Sequence, residues 1–198
     1  MPDCDGGHTR AGAHGFVQAL TSALTALEGR GNAHIPAHRR AGVLRSCSIR
    51  ETVIHSAREL GLDIDVRSLD CATASTREAA GAVGCSEAEI VKSVVFLADG
   101  EPVLCIASGG HRVDSSRLAE ALDAAEVCQA SPDQVRAATG FAVGGVPPIG
   151  HDLRVVLDEA LLEHERVWAA AGDGHSLFSV DPRELERCTG AFVAPVGA

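Results

Sequence analysis

The dipeptide Asp99-Gly100 stands between two apolar runs, Val94-Val95-Phe96-Leu97-Ala98 and Pro102-Val103-Leu104-Cys105-Ile106-Ala107. Asp-Gly is a pair that a two-residue reversal with left-handed backbone favours. The flanking runs, rich in Val, Leu, Ile and Phe, read as strands. An antiparallel hairpin is therefore predicted mid-chain, and the fold must be assembled around it. A second hairpin is predicted from residues 167–171 and 176–180 across Gly172-Asp173-Gly174-His175.

Short helices are signalled between these strands. Ser48-Ile49-Arg50-Glu51 has the spacing of a capping box, with Val53, Ile54, Ala57 and Leu60 on one face and Gly61 as the stop. Ser75-Thr76-Arg77-Glu78 opens a helix that ends at Gly84, and Ser86-Glu87-Ala88-Glu89 opens one short turn. Asp114 caps a helix carrying Leu118, Ala121, Leu122 and Ala125. Ser131-Pro132-Asp133-Gln134 and Asp181-Pro182-Arg183-Glu184 each pair a cap with proline at the first helical position. Gly140 stops the former, and residues 159–165 look helical. Further strands are predicted at 64–69, 141–143, 154–157 and 191–196. Hairpins mixed with short helices predict an α+β domain with a curled, mostly antiparallel mixed sheet.

Residues 1–46 are rich in Gly, Ala, His and Arg, with a helix-like apolar pattern only at 16–27. They read as a poorly ordered extension, which leaves one domain at 47–198. The net charge of −10 is uneven: the extension carries +2 and the rest −12. An acidic body disfavours broad, salt-driven binding to a nucleic-acid backbone. With no Tyr and one Trp, stacking platforms for single strands are not expected. No apolar tract is long enough to span a membrane or serve as a secretory signal. Seven widely spaced cysteines without a Cys-x-x-Cys fit reduced thiols in the cytoplasm better than disulfides or a zinc site.

Nucleophile elbows, Walker loops, dinucleotide fingerprints and His-Glu-x-x-His are all missing. Two features remain. Lys92 is the one lysine against sixteen arginines, at the head of the apolar run that forms the first hairpin. A compact amine is not interchangeable with a planar guanidinium. The second feature is the turn Gly144-Gly145-Val146-Pro147-Pro148-Ile149-Gly150-His151. Its glycines would let backbone approach a ligand, its N–H groups could hold a carbonyl or phosphate, and its prolines would stiffen it. An added methyl at Gly145 is expected to obstruct a substrate with little loss of folding.

At these residues the chain resembles the YbaK/prolyl-tRNA-synthetase-associated domain family of aminoacyl-tRNA deacylases, free-standing editing factors. Three stretches carry the resemblance: Glu89-Ile90-Val91-Lys92-Ser93, residues 113–122, and Thr139-Gly140 through the Gly-Gly and Pro-x-Gly turn to His151. It covers about residues 49–196. It implies a YbaK-like fold and hydrolysis of the ester between a wrong amino acid and the 3′-terminal ribose of a tRNA. Lys92 would lie by the terminal adenosine and ester. Gly144 and Gly145 would orient the carbonyl, Gly145 as a catalytic position, while Val146, Pro147, Pro148, Gly150 and His151 would contact substrate. No cofactor, metal or side-chain nucleophile is implied. The partners implied are the aminoacyl-tRNA 3′ end and a synthetase, not DNA or a membrane. A non-catalytic module of the same fold, binding a tRNA end, an amino acid or a synthetase, is the rival reading, and turnover of another small ester ranks last. The chain departs from the family at Pro147, where several members have Ser. It also has no Tyr, and an acidic residue that some members carry in the final hairpin has no clear match around Ser176-Leu177-Phe178.

Overall fold

The structure is a computed structural model that describes residues 49–69, 73 and 75–198. The expected extension, with its short helix, and Ser48 of the first capping box lie outside these residues. Eight strands and five α-helices follow in the order α1 (Ile49–Glu59), β1 (Val66–Ser68), α2 (Thr76–Val83), β2 (Val91–Ala98), β3 (Glu101–Ser108), α3 (Ser115–Leu122), β4 (Val127–Gln129), α4 (Pro132–Thr139), β5 (Arg154–Asp158), β6 (Val167–Ala170), β7 (Ser176–Val180), α5 (Pro182–Thr189) and β8 (Phe192–Ala194). Short 3-10 turns occupy Glu87–Glu89 and Glu159–Glu163.

The central hairpin forms as its sequence requires. Asp99 and Gly100 both take positive φ, 50° and 88°, the backbone of the reversal that matches strand twist. The Asp99 carboxylate then accepts from Ala125 and Glu126 N–H at 3.2 and 2.9 Å, which holds the entry to β4. Five strands run β4-β2-β3-β5-β8, with β3, β5 and β8 parallel and the remaining pairs antiparallel. A smaller antiparallel sheet runs β1-β7-β6. The curled sheet is thus two sheets, linked by an isolated bridge between Ile90 and Trp168.

The main core joins the two sheets. Val91, Val95, Leu104, Ile106 and Leu157 of the larger sheet pack with Val167, Phe178 and Val180 of the smaller one, and Val53 and Ala57 of α1 join them. The opposite face of β2 and β3, with Phe96, Val103 and Cys105, is covered by Leu118 and Leu122 of α3. An eight-residue helix is not stable alone in water. Burying Leu118 contributes about 1.5–3 kcal/mol, so packing rather than propensity holds α3.

Three local expectations change. Residues 141–143 are not a strand: Ala142 O accepts from Gly145 N–H at 3.0 Å, so this backbone closes a turn instead of pairing. Residues 159–165 shorten to the 3-10 turn at Glu159–Glu163, capped by Asp158. β4 carries no apolar alternation of its own and forms because the free edge of β2 accepts it, Phe96 opposite Gln129.

Candidate functional site

The site follows from an edge. Val95 O accepts from Ala130 N–H at 3.0 Å, and residues 96–98 of β2 pair with β4 on that same side. Backbone groups point to alternate sides along a strand. Ser93 therefore also turns its N–H and C=O to this edge, where no strand pairs with it. A cleft of about 310 Å³ opens there, lined by β2 from Val91 to Val95, by Thr73, Ser75 and Thr76 before and in α2, and by Val143, Gly144 and Val146. Its volume lies in the small-ligand range. Ser93 Oγ is buried and without a hydrogen-bond partner. A buried hydroxyl left unmatched is costly, which sets Ser93 apart from the apolar residues around it.

The Gly-Pro turn divides. Gly144 and Val146 reach the cleft with Lys92, whereas Pro148, Gly150 and His151 line a second depression with Leu60, Cys188 and Thr189. Gly145 and Pro147 line neither. Residues 145–149 are buried, so the prolines pack inward. Gly144 needs its glycine for conformation, at φ +87° with open space around it. At Gly145 the need is space: a Cβ would stand 2.8 Å from the backbone oxygen of Gly172. That position is a docking point between the turn and the β6–β7 loop, a different reason for glycine from the one read in the sequence. His151 Nε2 lies 3.3 Å from Pro147 O, its Nδ1 is buried without a partner, and burial holds its pKa below the usual histidine range.

Lys92 falls on the face of β2 shared by Val94 and Phe96, and its amine donates to the backbone oxygen of His111. Partial burial lowers its pKa, the Asp158 carboxylate opposes that, and Arg112 adds to it. Asp158, whose side chain is 1% exposed, accepts from Ser108 N–H at 3.0 Å and lies 2.5 Å from His111 Nε2. Neither His111 nor Asp158 announces itself in the sequence. They are 47 residues apart, and only the parallel pairing of β3 with β5 brings them together. Ser93 stands in the Glu89–Ser93 stretch, where its one signal is adjacency to Lys92.

Cys105, fully buried opposite Val94, has its thiol pushed up to about 12, chiefly by burial and then by Asp158, with Lys92 opposing. The thiolate fraction at pH 8 is then about one part in 10⁴. Cys105 is expected to resist iodoacetamide in the native protein at pH 8 and to react on unfolding. Mass-spectrometric mapping checks this, and rapid native labelling would contradict the burial of this face.

Among the described residues, no helix is long and apolar enough to cross a membrane. A family model described as an aminoacyl-tRNA editing domain matches residues 70–188. The uncharacterized protein YwhH of Bacillus subtilis (strain 168) is 32% identical over 124 residues, 61% of this chain and 78% of that protein. A proline–tRNA ligase of Lysinibacillus sphaericus (strain C3-41) is 37% identical over 98 residues, 48% of this chain but only 17% of the ligase. A crystal structure provisionally named a trans-editing enzyme for prolyl tRNA synthetase superposes with a TM-score of 0.73 at 38% identity, covering 76% of this chain and 98% of the other.

Proposed function

As the chain belongs to the aminoacyl-tRNA editing domain family, we propose that it is a free-standing deacylase. It hydrolyses the ester between a non-cognate amino acid and the 3′-terminal ribose of a tRNA. One observation carries this reading: Lys92, Ser93 and Gly144 line a single small cleft, and Ser93 Oγ is buried there without a hydrogen-bond partner. The cleft suits an aminoacyl group and its ribose, not an acceptor stem. The similarity to an enzyme named for prolyl-tRNA synthetase trans-editing supports tRNA(Pro) as the first substrate to try.

The chemistry is positioning. Ser93 Oγ has no base beside it, which does not favour a serine nucleophile. Water attacks the carbonyl carbon, the ester C–O bond breaks, and the products are a free amino acid and a ribose hydroxyl. The open edge at Ser93 and the backbone of Gly144 orient the aminoacyl group. An ammonium has three donors. Lys92 gives one to His111 O and offers the others to ribose or phosphate oxygens at the lip of the cleft. Preorganised donors of this kind act without reorganising in the transition state. The acidic body leaves the tRNA gripped at its end, in the cytoplasm beside a synthetase, with neither metal nor cofactor required.

The test is a panel of tRNA(Pro) and tRNA(Ala) charged with Ala, Ser, Cys or Thr and incubated with the protein alone. Release of at least one amino acid well above buffer is expected. Retained binding of the tRNA with no release from any member would favour a non-catalytic module instead.

A further inference from the structure

We propose that His111 is a positioning residue whose ring, anchored on the buried Asp158 carboxylate, sets the carbonyl that holds the Lys92 amine at the cleft. The proposal rests on the reading that this amine serves ester hydrolysis. His111 acts in two directions at once. Its backbone oxygen accepts from Lys92 Nζ, and its Nε2 meets Asp158 Oδ2 at 2.5 Å. Asp158 is a fixed post: β5 carries it, Ser108 N–H donates to Oδ2 at 3.0 Å, and Ala160 N–H approaches Oδ1 at 3.3 Å.

The ring is also held from its other side. A Cβ on Gly197 would fall 2.7–2.9 Å from Nε2, Cε1 and Cδ2, so the imidazole lies directly against a glycine. The backbone on either side is tied down. Gly109 N–H donates to Ile90 O at 2.7 Å, Asp114 N–H to Val196 O at 2.8 Å, and Ala198 N–H to Arg112 O at 2.9 Å. Between these ties, Gly110 N–H donates to Ser108 Oγ at 3.2 Å, and His111 has its own ring as its side-chain anchor on the core. Losing it frees the carbonyl of residue 111 to turn, and the amine follows. Small displacements of a positioning group carry large rate penalties.

The single lysine makes the claim directly readable. Labelling with [15Nζ]-lysine gives one lysine side-chain signal, because the chain has no other lysine. Wild type, His111→Ala, His111→Gln and Gly197→Ala are compared, each first shown to melt cooperatively. Gln keeps an N–H donor within reach of Asp158, and the Gly197→Ala methyl displaces the ring while leaving His111 in place, so it carries the test should His111→Ala not fold. The Nζ signal is expected to shift or broaden in His111→Ala and Gly197→Ala and to return towards wild type in His111→Gln. Deacylation kcat is expected to fall at least about tenfold with the signal, with KM changing less than about threefold. An Nζ signal superimposable on wild type in both His111→Ala and Gly197→Ala overturns the proposal, as does a moved signal with unchanged kcat. A wild-type protein that releases no amino acid overturns the editing reading instead, which the Nζ signal reports separately.

Discussion

Replacing Lys92 with alanine is expected to lower kcat/KM for ester hydrolysis by about 10²–10³, about 2.7–4 kcal/mol of transition-state stabilisation. The melting temperature should move little. Lys92 is half-buried, and its removal takes away a desolvated cation together with one hydrogen bond to His111 O. These two changes oppose each other in the stability balance. Lys92→Arg separates the roles of charge and shape. The guanidinium keeps the charge but cannot occupy the space of a compact amine between His111 O and the cleft. A rate close to that of the alanine variant is expected. An arginine variant at the wild-type rate would reduce Lys92 to a general counter-charge, and an alanine variant within threefold of wild type would remove it from the chemistry.

The second large effect falls on folding. In Gly145→Ala the new methyl meets the backbone oxygen of Gly172 at 2.8 Å. Gly172 cannot withdraw easily: it sits at φ +98°, and the space where its own side chain would stand is filled by Ile49 Cγ2 at 2.6 Å, with Phe141 Cε1 at 3.1 Å and Val53 Cγ2 at 3.2 Å. Overpacking between two backbones costs about 1–3 kcal/mol. For a domain of this size that lowers Tm by about 2–12 °C. Turnover falls as well, because displacing residue 145 carries Gly144 away from the cleft. Gly144→Ala is the comparison. It has open space but a left-handed φ of +87°, so its cost is conformational, about 1–2 kcal/mol. An unchanged Tm in Gly145→Ala, read by calorimetry, would contradict the packing account of the turn.

Much of the fold was legible because its signals are local. Ser75, Asp114, Ser131 and Asp181 each accept from a backbone N–H two or three residues on, as their spacing indicated. Asp99-Gly100 needed no distant partner to dictate a reversal. What escaped was set by contacts between residues far apart in sequence. Residues 141–143 had strand-like composition but close a turn through Ala142 O and Gly145 N–H, whereas residues 127–129 lacked the pattern and pair with β2. The same division applies to the site. Lys92 and Gly144 stood out by rarity and turn chemistry. Burial of Pro147 and Pro148 depended on where the turn packs, and the contact between His111 and Asp158 depended on the β3–β5 pairing. Glycine at 145 stood out in the sequence as part of a turn that backbone could bring close to a ligand; the contact with the Gly172 backbone oxygen, which a side chain there would meet at 2.8 Å, depended on the packing of the β6–β7 loop.

The most direct measurement is the initial rate of amino acid release from tRNA(Pro) carrying alanine, set beside the same tRNA carrying proline, with the protein in excess and no synthetase present. The expected result is rapid loss of alanine with the prolyl ester spared. Equal loss of both, or no loss of any non-cognate amino acid from a tRNA that the protein still binds, would contradict an editing deacylase.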